Sequence, residues 1–182
     1  MPPSTLSTLD RDRAAFLAAF DAFTPEQRAF RPADGGWTAD DVAEHLARVE
    51  SGLLAVLTKQ VDAGAARRDV GHPSPAGQDR MLAYLRSEMR LPMPETLAPH
   101  IGPAGAGGAA SRSAIATAQA SWRDLAERLA PEDAEAGLYK HPVAGAFTFA
   151  QTADFHAAHL DHPTRQLARV RASEGFPADA AL

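Results

Sequence analysis

Residues 38–63, TADDVAEHLARVESGLLAVLTKQVDA, decide the fold. Thr38 is a good N-cap, because its hydroxyl can accept one of the orphan N–H groups of a first helical turn. Asp41 follows three residues later, where a side-chain acceptor can return to the cap. Asp40 and Asp41 place negative charge where the helix dipole favours it. Val42, His45, Leu46, Val49, Leu53 and Val56 recur at steps of three and four, so they share one face. The stretch reads as one helix from Ala39 to Ala63 with that face turned inward.

The same period recurs on both sides. Leu9, Phe16, Phe20 and Phe23 make an apolar stripe on a helix from Thr8 to Phe23. Thr24-Pro25-Glu26-Gln27 reads as a second cap with proline at the first helical position, opening a short helix that ends near Arg31-Pro32. Asp34-Gly35-Gly36 is a turn. Gly64–Gly77 reads as a loop, and Gln78–Met89 as a shorter helix with Met81, Leu82, Leu85 and Met89 on one side. Leu91–Gly108, rich in Pro, Gly and Ala, predicts a long surface loop. Ser113–Leu129 carries Ile115, Ala118, Trp122, Leu125 and Leu129 on one seam and is stopped by Pro131. Thr148 caps the last helix, Phe149–Ala172, whose inward stripe holds Phe149, Ala153, His156, Leu160, Leu167 and Val170. No stretch reads as a strand. The prediction is a single all-α domain over 1–182, an up-down four-helix bundle with a short extra helix and a long loop.

Composition narrows the function classes. The chain has 182 residues, 45% of them hydrophobic, enough to bury a sizeable core. No apolar run approaches the ~20 residues that span a bilayer, and Met1-Pro2-Pro3-Ser4-Thr5 lacks the features of a signal peptide. A cytoplasmic protein without a membrane partner is expected. There is no cysteine, which rules out disulfides, thiolate metal ligands and a cysteine nucleophile. The net charge of -5, with acids and bases interleaved, argues against nucleic acid as a partner.

Histidine is where chemistry concentrates. His156, His159 and His162 fall three apart, so on a helix they face the same general direction. His45 stands on the inward face of 39–63. Neutral imidazoles are good metal ligands, and facing helices of a bundle are a usual place to assemble a metal site. One histidine from the second long helix and two from the last would leave a position open for water. The plainer alternative is that His45 is a hydrogen-bonded core residue and the others lie on a helix surface. Asp40 and Glu44 are expected to face solvent. Asp154 and Asp161 flank the cluster as solvated charges or as partners that orient a histidine. Trp37 and Trp122 fit core or helix-end packing, Tyr139 has no visible partner, and Arg165 reads as a surface arginine.

Three segments together resemble a known family. Trp37-Thr38 with Val42, His45 and Leu46, then His141-Pro142 with Gly145 and Thr148, then His159, His162 and Gln166 are similar to the DinB-like (YfiT-like) superfamily, in the same order. The likeness extends from about Leu9 to Val170. It implies a four-helix bundle, commonly a homodimer, with a divalent metal, often nickel or zinc, held by three histidines. Some relatives are thiol-dependent transferases using mycothiol or bacillithiol; many are described only as metal-dependent hydrolases.

Carried onto this chain, the first two ligands fall on His45 and His159. The third falls four residues after His159, on Pro163, which has no ligating side chain; His162, one residue early, is the substitute, with His156 the other. Proline inside a helix also removes the bond to the carbonyl of His159, at a cost of ~3 kcal/mol or more, and predicts a kink or bulge there. Two readings stay open. One is a metal-dependent hydrolase or thiol transferase acting on a small molecule through His45, His159 and His162. The other is a metal-free bundle that binds a small molecule or dimerises.

Overall fold

The computed structural model describes residues 3–87, 95 and 98–178. Among the described residues seven helices are formed: α1 (Pro3–Asp21), α2 (Pro25–Ala29), α3 (Ala39–Ala63), α4 (Pro75–Arg86), α5 (Ala98–Ile101), α6 (Gly108–Arg128) and α7 (Phe149–Arg171). The long ones close into a ring: α1 packs on α6 and α7, and α3 packs on the same two. No described helix is long and apolar enough to cross a membrane.

The caps explain why the helices start where they do. Thr24, Thr38 and Thr148 each accept a hydrogen bond from the backbone N–H three residues on, and the side-chain oxygens of Gln27, Asp41 and Gln151 accept from the cap N–H in return. Gly64, at φ +50°, ends α3 in a conformation that side chains disfavour. The core is the predicted stripes brought together. Leu9, Phe16 and Phe20 of α1, Val42, Leu46 and Leu53 of α3, Ile115, Trp122 and Leu125 of α6, and Phe149, Leu160 and Leu167 of α7 are all buried. Val56 departs from the predicted α3 stripe, exposed at 41%; Leu57 and Gln60 beyond it are buried, so the covered face of the helix passes beside Val56.

Two expectations need correction. The chain contains strands: β1 (Tyr139–His141) and β2 (Gly145–Phe147) form an antiparallel hairpin, with Tyr139 opposite Phe147 and His141 opposite Gly145. The hairpin leans on α4, where a Cβ on Gly77 would lie 2.2 Å from the Ala144 carbonyl oxygen. The stretch 91–108 is not loop throughout, since it contains α5. Pro163 lies inside α7, which continues through it as one helix. The helix end expected at Met89 and part of the 91–108 segment lie outside the described residues.

Candidate functional site

His45 and His159 meet across the α3–α7 packing. Their ring centroids are 5.3 Å apart, and the Trp37 ring stands 5.1 Å from His45 on its other side. His45 is 8% exposed, and its Nδ1 lies 2.7 Å from the carbonyl oxygen of Ile101 in α5. A carbonyl can only accept, so Nδ1 carries the proton and Nε2 keeps its lone pair. Burial pushes the His45 pKa down, with the Ile101 bond opposing it and the charges of His162, Arg48 and His156 adding to it. The ring is therefore neutral at pH 7.

His159 is held neutral more strongly. Burial is the main cause, followed by the imidazoles of His45, His156, His162 and His141. Its ring retains some accessible surface, yet Nδ1 is buried without a hydrogen-bond partner among the described residues. An unsatisfied buried polar atom costs about 1–3 kcal/mol. His159→Leu is accordingly expected to raise Tm by about 2–4 °C, the shift that ~1 kcal/mol gives in a chain of this size. A calorimetric scan that finds His159→Leu less stable than the parent would show that this atom has a partner in solution.

The other histidines play different parts. His156, fully buried, does not face this pair alone: its Nε2 lies 3.1 Å from Glu50 Oε1. That oxygen accepts from Arg13 Nη2 at 2.5 Å and from the Trp122 indole N–H at 2.9 Å. Arg13 continues to Asp10, which takes Arg123 on its other oxygen. One buried carboxylate thus ties α1, α3, α6 and α7. Burial works against the charge of Glu50, but His156 and Arg13 outweigh it and hold the carboxyl at about 2. His162, one turn past His159, is half-buried. His141 of β1 accepts from the N–H groups of Val143 and Ala144 at Nδ1, which places its proton on Nε2, and its ring lies 5.1 Å from Phe155.

Sequence reasoning missed two acids here. Glu44 does not face solvent: it is 3% exposed and accepts from the N–H groups of Ala104 and Gly105 at 2.8 and 2.9 Å. Glu50 is 1% exposed. Asp40 is half-covered, with its Oδ1 buried. Trp37 joins the histidine pair, Trp122 joins the core, and Asp154 accepts from Gln78. Arg165 is held by the Leu85 carbonyl and by Asp161.

A resident metal can be tested against this arrangement. Two of the three expected nitrogens, on His45 and His159, come together. The third position is Pro163, and among the described residues no three His, Asp or Glu side chains gather in a way that could hold a metal ion. The donor set on the described residues does not fit a three-histidine centre.

A family model, that of the DinB superfamily, matches residues 8–167. The chain belongs to the DinB superfamily. No curated protein and no solved structure matches it. The matched span includes α3 and α6 whole, α1 from Thr8 onward and α7 as far as Leu167, so most of the four bundle helices, the hairpin, and His45, His141, His156, His159 and His162 lie within the DinB-superfamily region.

Proposed function

We propose that this DinB-superfamily chain binds and acts on a small molecule at the His45–His159 pair, through its imidazoles rather than through a metal held by three histidines. The observation that carries the reading is the pair itself: two neutral rings 5.3 Å apart, one with its lone pair assigned to Nε2, the other with an unpartnered Nδ1, beside Trp37. A neutral imidazole offers a ligand one lone pair that accepts a hydrogen bond and one N–H that donates. An aromatic wall of Trp37 and Phe155 supplies apolar contact of the kind small-molecule sites use. Polar atoms kept unsatisfied inside a stable bundle are commonly there for a ligand.

A second reading has its own support. The Ile101 bond leaves His45 Nε2 free, the arrangement by which an outer carbonyl orients a metal-bound histidine. On that reading His45 and His159 would hold nickel or zinc without His162 joining them as arranged here, and the ion would serve hydrolysis or transfer of a bacillithiol or mycothiol thiol.

Metal analysis of the untagged protein decides between them, before and after incubation with nickel or zinc, beside His45→Ala and His159→Ala. The metal-free reading expects no stoichiometric ion in any sample. It also expects thermal-shift hits from a library of small acids and amides that disappear in both variants. A single ion per chain, lost in both variants, would overturn it in favour of the metal enzyme.

A further inference from the structure

Three neighbouring side chains on α3 grip one segment of backbone. Arg48 donates Nε to the His100 carbonyl at 3.1 Å, Nη1 to Gly102 at 2.8 Å and Nη2 to Pro99 at 2.8 Å. Glu44 accepts from the N–H groups of Ala104 and Gly105. His45, between them in sequence, donates to Ile101. The chemistry of the grip follows from what a four-residue helix leaves unpaired. The last carbonyls of α5 have no helical donors of their own, and a planar guanidinium offers several donors in a fixed fork with a positive charge that suits a helix C-terminus. The N–H groups just beyond are free to meet a carboxylate. Burial opposes the charge of Glu44, and the backbone N–H groups of Ala106, Ala104 and Gly105 with Arg48 outweigh it, holding the carboxyl below its usual range. Gly105, at φ +88°, lets the chain turn back toward α6.

We propose that residues 98–106 are a strap, and that Arg48 and Glu44 are positioning residues which act through it to set the tautomer of His45. The strap supplies the carbonyl that fixes the proton on Nδ1. Lifting it removes that acceptor, and the neutral ring is then free to move the proton to Nε2, the tautomer an exposed imidazole adopts readily. Nε2 would change from acceptor to donor toward anything bound beside His159. The site is thus complete only with the strap down, and a small molecule entering from the strap side must displace it and allow it to close. The inference rests on the reading of His45 and His159 as the ligand-facing pair.

The test uses the full chain and two readouts. Amide exchange at Ala104 and Gly105 reports the strap, and long-range proton–nitrogen NMR of the His45 ring reports the tautomer. The parent should show the Nδ1–H form. Arg48→Ala should speed exchange at both amides by roughly tenfold or more, since charge-assisted bonds are lost from a locally opening segment. It should also bring Nε2–H signal into the His45 ring. Arg48→Lys should fail to restore the parent pattern, because a single ammonium cannot span three carbonyls. Glu44→Gln should show a smaller change in the same direction. Faster exchange with the His45 tautomer unchanged would overturn the positioning role, and unchanged exchange would overturn the strap. A tautomer that responds as expected in a protein that binds neither metal nor small molecule would keep the strap and remove the site reading instead.

Discussion

Glu50→Ala is expected to lower unfolding stability by about 3–5 kcal/mol, the usual cost of breaking a buried ion pair by removing one partner. The substitution leaves Arg13, itself 3% exposed, with Asp10 as its remaining partner, and removes the acceptor of the Trp122 indole and the neighbour of His156. Urea unfolding followed by circular dichroism measures the loss; a change under 1 kcal/mol would mean that water enters and takes over the role of the carboxylate. A pH dependence accompanies it. The folded carboxyl titrates at about 2, below the 4.5 usual for glutamate, so the native state holds fewer protons there than the unfolded chain. Stability from Glu50 is therefore complete above about pH 4.5 and is lost as pH falls from there toward 2. Glu50→Gln has no such group, so its acid sensitivity should be weaker than that of the parent over that interval.

Pro163→His is expected to raise affinity for nickel or zinc roughly 100-fold. Structural zinc with four ligands is worth roughly 10–16 kcal/mol, or about 3 kcal/mol for each, which is about two decades in Kd. Position 163 is buried on α7, one turn beyond His159, so a side chain there emerges on the same side of the helix. Competition against a chromophoric chelator reads the affinity. The gain should vanish in Pro163→His combined with His159→Ala. An unchanged affinity would place residue 163 away from the His45–His159 pair and would remove the explanation offered for the incomplete donor set.

Much of the frame is legible before folding is considered. The bounds of α3 are readable because both ends carry local signals, a threonine box at Thr38 and a glycine at Gly64. Thr148 does the same for α7. The pairing of His45 with His159 is readable only through the family resemblance, because the apolar stripe of the last helix points to His156 as the inward histidine. The hairpin is not, because strands of three residues are too short to show an alternating pattern. Glu44 and Glu50 were hidden by a one-sided view of α3. That helix is covered by α6, by α7 and by the 98–106 segment, so residues off its main stripe are also buried. A signal for Glu50 did exist. Arg13 lies between Leu9 and Phe16 at helical spacing, in the middle of the α1 stripe, and a buried cation requires a buried anion.

The shared carboxylate has a consequence for how the chain finds its fold. Apolar stripes rich in alanine and leucine are forgiving, and two helices can slide by a turn along each other with little change in area buried. Glu50, Arg13, Trp122 and His156 come from four different helices and meet at one depth. A slip of any one helix by a turn, about 5.4 Å, would separate charges that have no water to turn to. Misaligned bundles are penalised while the aligned one is not, so a cluster that adds little net stability selects a single vertical alignment of the four helices. The histidine pair across α3 and α7 needs that same alignment to meet at all.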